Sequence, residues 1–198
     1  MSQPLPPASV LVAHRVADFD GWKRIFDDTR SFRQNDGILG HDVSRGADDP
    51  SMVYVYCLAG DADKLAAHVQ NAELSQIMQK AGVVGQPEVW VMKPMSVDIV
   101  PDRTLAGMVA VHDVEDYATW REVYDAFDAH RKQHGIVGHA VNQELGNPKR
   151  VIVYHQAKEM ATLRAFADSE ELRERMPRAG VVGKPAFHFF QSVETQQY

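Results

Sequence analysis

Histidine and tyrosine recur along this chain at one fixed interval. His14 and His112 lie 98 positions apart (112 − 14), and so do His41 and His139, and Tyr56 and Tyr154. Trp90 and His188 occupy equivalent positions at the same offset. Imidazole titrates near neutral pH and serves as acid, base or metal ligand. A tyrosine hydroxyl can donate to a developing oxyanion. Aromatic walls suit a flat, apolar ligand held by a few fixed polar groups. On this chemistry His41, His139, Tyr56 and Tyr154 are the candidate catalytic groups. His14, His112, Trp90 and His188 are the candidate ligand contacts. The expected cavity is edged by His14, His41, Tyr56 and Trp90 in one half, and by His112, His139, Tyr154 and His188 in the other. A plainer reading stands beside this one. A histidine at a strand end can simply bond a backbone carbonyl, and Trp22 and Trp120 read as helix–sheet core.

The interval extends well beyond these side chains. "AGVVGQP" at 81–87 returns as "AGVVGKP" at 179–185, and "GILGH" at 37–41 returns as "GIVGH" at 135–139. Asp18 and Trp22 fall on Asp116 and Trp120. Self-similarity over most of a chain at one long period predicts a duplicated domain, not a solenoid. We expect a tail at 1–8, a first repeat at 9–95, a linker at 96–105 and a second repeat at 106–194.

Each repeat reads as β-α-β-β-α-β. "VLVAH" and "MVAVH" are β-branched runs typical of strands. Phe19, Trp22, Ile25 and Phe26 then recur at helical spacing, as do Tyr117, Trp120, Val123, Tyr124 and Phe127. Asp18 and Asp116 are placed as N-caps, and Gly37 and Gly135 as helix stops. "MVYVYCL" and "RVIVYHQ" close hairpins with the preceding strands. A second helix follows in each half, with breaks suggested at Asn71 and Ser169. The last strands are "PEVWVM" and "PAFHFF". In this reading "AGVVG" is turn chemistry: glycines end the second helix and shape the start of the last strand. The order is the split βαβ, or ferredoxin-like, pattern, with an antiparallel sheet and both helices on one face.

Composition narrows the function classes. The chain is 44% hydrophobic and 24% charged, with net charge −6. That balance lacks the basic stripe a nucleic-acid partner requires. Its one cysteine, Cys57, forms no intrachain disulfide and no cysteine zinc site. No apolar run approaches the roughly 20 residues that span a bilayer. With no secretory signal pattern at the start, a cytoplasmic location is expected. The dinucleotide fingerprint, the phosphate-binding loop and the nucleophile elbow are all missing. His130 and His134 stand i, i+4 at a helix end and can bind a metal, but the helix dipole equally favours solvated histidines there. His112, His139 and His188 form a second conceivable metal set. Neither is assigned: no metal and no cofactor is expected.

A sheet with helices on one face leaves the other face apolar and in need of a partner. Here the chain resembles the dimeric α+β barrel superfamily. The likeness rests on the element order and on the motif HxVxD[FY]xxW, seen at His14–Trp22 and His112–Trp120. The superfamily includes antibiotic-biosynthesis-monooxygenase-like, stress-responsive and muconolactone-isomerase-like proteins. It implies an α+β fold in which two ferredoxin-like sheets pack face to face as a barrel, here within one chain in place of two. It also implies small-molecule binding: cofactor-independent oxygenation, isomerisation or cyclisation of an aromatic or polyketide-like compound. The alternatives are a non-catalytic ligand-binding or stress-related barrel, and a haem- or metal-binding protein. Haem-degrading relatives use an Asn on the first strand and a His on the second helix. Here the first strands hold no Asn, and His68 has Phe166 as its counterpart. The expected assembly is a monomeric fused barrel or a homodimer of it.

Overall fold

Local signals set the elements. The computed structural model describes residues 5–198. In chain order it contains β1 (Ala8–Val16), α1 (Phe19–Asp28), α2 (Arg30–Asn35), β2 (Ile38–Gly46), β3 (Met52–Ala59), α3 (Ala62–Val69), α4 (Ala72–Lys80) and β4 (Val83–Asp98). The same series follows as β5 (Ala106–Val114), α5 (Tyr117–Ala126), α6 (Asp128–Gln133), β6 (Ile136–Glu144), β7 (Asn147–Ala157), α7 (Met160–Ala167), α8 (Glu170–Arg178) and β8 (Val181–Gln197). None of these helices is long and apolar enough to cross a membrane.

The caps are where the sequence puts them. Asp18 accepts from the Gly21 amide and Asp116 from the Thr119 amide. Gly37, Gly82, Gly135 and Gly180 all take positive φ at helix ends, a conformation that costs glycine nothing sterically. Replacing Asp116 with Ala strands the Thr119 N–H now bonded at 2.8 Å. We expect a loss of about 1 kcal/mol in urea unfolding; an unchanged midpoint would show that water caps α5 equally well.

One expectation needs correction. The first helix of each repeat is two short helices, not one. The turn is stabilised by side chains that satisfy the last carbonyls of α1. Thr29 Oγ1 donates to the Ile25 and Phe26 carbonyls at 2.8 and 3.1 Å. Arg33 Nη1 donates to the Phe26 carbonyl at 2.6 Å. In the second repeat Arg131 Nη1 takes the Tyr124 carbonyl in the same way. With those acceptors satisfied, the chain can change direction without orphaning polar backbone.

All strand pairings are antiparallel where register is defined. The described residues form two compact units. Unit 1 holds residues up to Lys93 together with Ser192–Tyr198, and unit 2 holds Pro94–Gln191. In unit 1, β3 lies between β1 and β2, β1 also pairs with β4, and the end of β8 lies beside β2; in unit 2, β7 lies between β5 and β6, β5 also pairs with β8, and the end of β4 lies beside β6. Hence β4 and β8 are longer than the apolar runs that announce them. The last residues of β4 are part of unit 2, and those of β8 part of unit 1.

Within unit 1, Val10, Val12, Val53, Val55 and Cys57 pack on the helix side with Trp22 and Leu65. In unit 2, Met108 packs with Leu163 and Phe166, and Val151 and Val153 with Trp120. Burying each such side chain is worth about 1.5–3 kcal/mol. These contacts fix the helices over one sheet face and thereby shape the cavities described next.

Candidate functional site

Strand register decides which predicted residues can meet. Antiparallel residues directly opposite one another share a face. Leu11 pairs with both Tyr56 and Trp90, and Val109 with both Tyr154 and His188. These four predicted residues therefore lie on the sheet face away from the helices. His14 pairs with Val53, His41 with Cys57, and His112 with Val151. Those partners belong to the helix-side cores. His139 pairs with His155, itself opposite Met108, so it shares that side. The expected cavity is thus divided: the histidines of strands one and two lie under the helices, and the Tyr56/Trp90 and Tyr154/His188 sets lie on the opposite face. The first two strands carry apolar residues on both faces, which is why alternation alone could not orient them.

His41 is tied into a polar chain. Arg33 Nε donates to the Tyr198 hydroxyl at 2.8 Å, and that hydroxyl lies 2.8 Å from His41 Nδ1. His41 Nε2 lies 2.9 Å from Glu194, which also receives Lys23 at 2.9 Å. His139 is anchored more loosely, with Nδ1 3.0 Å from the Tyr124 hydroxyl and Nε2 3.8 Å from Asp128. Burial lowers the pKa of both imidazoles, and the adjacent Arg33 and Arg131 push in the same direction.

Each unit has a cavity between its helices and its sheet. In unit 2 the free space is about 60 Å³, enough for several waters. Its walls include Trp120, Phe127, Phe166 and Phe187. His112, His155, Tyr124 and Arg131 also line it. Both ring nitrogens of His112 and both of His155 are buried with no hydrogen-bond partner. Burial holds His112 down at about 4 and His155 at about 3, so both are neutral at pH 7. Each neutral ring offers one donor and one acceptor. Arg131 is 2% exposed and its Nε is also unpartnered. Burial raises the Tyr124 phenol, which stays protonated and acts as a donor.

Unit 1 carries a cavity of about 80 Å³ with different chemistry. Phe26 stands where unit 2 has Tyr124, and Cys57 where it has His155. Burial pushes the Cys57 thiol up to about 12, so it is no thiolate nucleophile. His14 keeps two unpartnered nitrogens, and burial lowers it to about 4. His68 is bonded to Asp36 at 2.7 Å.

Sequence reasoning missed His155, Tyr124 and the arginine pair Arg33/Arg131. The signals were present. His155 alternates with Val153 on β7, which places it on the helix side. Arg33 and Arg131 are identical at the 98-residue offset, but a charged residue on an amphipathic helix ordinarily reads as solvated.

The α+β fold is shared with solved ferredoxin-fold structures. Among solved structures, an anthrone oxidase-like protein is similar over 96% of this chain and 92% of its own, with TM-score 0.71 and 16% identity. A candidate monooxygenase from Fusobacterium nucleatum subsp. nucleatum matches 98% of this chain and 96% of its own, with TM-score 0.64 and 11% identity. A ferredoxin-fold protein related to antibiotic biosynthesis monooxygenases, from Listeria monocytogenes 4b F2365, matches 96% of each chain at 7% identity and TM-score 0.54. No protein-family model matches the sequence, and no curated protein does. At these identities the likeness establishes the fold alone.

Proposed function

We propose that this chain binds a small, flat, oxygen-bearing aromatic compound in the unit 2 cavity and oxygenates it without a cofactor. The observation that carries the reading is the pair of buried imidazoles, His112 and His155, with unpartnered nitrogens in an aromatic-walled space. Buried polar groups are ordinarily satisfied, so such a pair calls for a polar guest. A phenol or enol placed there can pass its proton to an imidazole nitrogen. The electron pair stays on the oxygen, and the charge that develops is favoured by the Arg131 guanidinium. A base held near pKa 4 is weak by itself. The anion it creates would raise that value, because opposite charge favours the protonated ring. Unit 1, with Phe26 and Cys57 at the matching positions, lacks this pair.

Anthrone is a probe of the substrate class that the similar anthrone oxidase-like structure suggests; it is larger than the free space of about 60 Å³, so its binding requires the helices to part from the sheet. Its conversion to the quinone balances with one dioxygen: one oxygen atom becomes a new carbonyl at the ring methylene carbon, and the other leaves as water with the two methylene hydrogens. Trp120 lines the cavity, so anaerobic binding can be followed by tryptophan fluorescence before air is admitted. We expect His112→Ala with His155→Ala to weaken binding at least about tenfold, the loss of one or two polar contacts, while His14→Ala leaves it intact. Binding without oxidation would move the protein to the ligand-carrier reading. Equal binding by the double variant would remove unit 2 as the site.

A further inference from the structure

We infer that unit 2 carries a second, separate site, for a divalent first-row transition metal, built from His130, His134 and Glu171. One ligand atom from each of these three side chains lies within 4.8 Å of the others. His130 is in α6, His134 is the C-cap of that helix, and Glu171 is in the first turn of α8. The site therefore joins two helices, which the i, i+4 histidine pair alone would not do.

The chemistry of the set is specific. Two imidazoles and one carboxylate form a donor set that zinc accepts with a coordination position left open. Ligands on a tetrahedral ion at about 2.1 Å stand about 3.4 Å apart. The three groups thus need to close by up to about 1.4 Å. Glu171 is exposed and free to make that movement. The imidazoles are already oriented by packing. His130 stacks on Phe127 with ring centres 4.4 Å apart, and His134 meets the Phe166 ring edge-on at 5.9 Å. The two imidazole centres are themselves 4.4 Å apart. His130 Nε2 is buried and has no hydrogen-bond partner. The neighbouring cation, Arg175, lies over the Phe127 ring at 4.3 Å, where its charge is partly engaged. Unit 1 supplies an internal control: Phe32 and Asp36 occupy the positions of the two histidines, and Asp36 is already committed to His68.

Phe127, Phe166, Leu172 and Arg175 also line the unit 2 cavity. A metal here would fasten α8 to α6 beside that space. The inference does not depend on what the cavity binds.

The test uses the full chain, stripped with chelator, with Zn²⁺ in calorimetry and Co²⁺ in visible absorption. We expect one equivalent of Zn²⁺, a Co²⁺ spectrum of a nitrogen–oxygen site, and a Tm that rises with added Zn²⁺. Glu171→Gln changes an exposed side chain and His130→Phe installs the unit 1 residue, so both should fold, as far-UV circular dichroism will report. Each should weaken Zn²⁺ at least about tenfold, since loss of a ligand costs no less than loss of its supporting partner. Zn²⁺ binding that is unchanged in both variants, or absent from the wild-type chain at micromolar metal, overturns the assignment.

Discussion

Lowering the pH from 7 to 5 should cost this protein much of its stability, well before its carboxylates protonate. His14 and His112 are held near 4 and His155 near 3 by burial. In the unfolded chain each titrates near 6.5. Below pH 6.5 the unfolded state therefore takes up protons that the folded state refuses, and stability falls as pH falls. The contribution is fully present above about 6.5. It is lost progressively down to the folded values near 4 and 3. At pH 5 each of the three residues costs about 2 kcal/mol, or about 6 kcal/mol together, as an order of magnitude. That is a large share of a typical domain's 5–15 kcal/mol. The specific check is His155→Cys, which installs the unit 1 residue and removes one of the three titrations. Between pH 7 and 5 its Tm should fall less than that of the wild type, by about 4–8 °C. Parallel Tm–pH curves for the two proteins would show that His155 is not held neutral by the fold.

Arg131→Met should be among the most damaging single substitutions. The guanidinium is buried, bonds the Tyr124 carbonyl and Asp128, and lies 3.9 Å from the Tyr124 ring centre. Methionine fills a similar volume but provides no donor, so the last carbonyls of α5 lose their partner and Asp128 loses one of its cations. Breaking a buried charged arrangement costs about 3–5 kcal/mol, and we expect Tm to fall by about 6–20 °C. Arg131→Lys should recover little, because an ammonium cannot reproduce the planar fork and the stack together. The comparison is Arg121→Met, which removes a half-exposed i, i+4 pair with Asp125 and should cost about 0.5 kcal/mol. If the two substitutions cost the same, burial is not what gives Arg131 its weight.

The parts of the fold legible in the sequence are those encoded locally. Asp18, Asp116 and the positive-φ glycines announce helix ends by their own conformational preferences. The repeat doubled each of these signals. What stayed hidden depends on distant contacts. Ser192, Glu194 and Thr195 lie beyond the apolar run "PAFHFF" that announces the last strand. They remain in the sheet because Ser192 and Thr195 donate to Asp42 and Glu194 meets His41 and Lys23. The candidate site was legible as a set of residue types but not as a set of neighbours. His14 and His112 line the helix-side cavities. Their supposed companions Tyr56, Trp90, Tyr154 and His188 fall on the other face, because one step along a strand reverses the side chain. Arg131 was hidden by its charge, since nothing local distinguishes a buried arginine from a solvated one.

The exchange of strand ends between the units has a consequence for biosynthesis. Arg33 bonds Tyr198 across 165 residues of sequence, and His41 waits for Glu194 across 153. Unit 1 is translated first yet cannot finish folding until residues 192–198 have left the ribosome. In the interval β2 presents an unpaired edge, the kind of surface that recruits other chains. A nascent chain of this protein therefore has a long window of vulnerability, and a stop codon just before residue 192 would harm the half of the molecule that was made first.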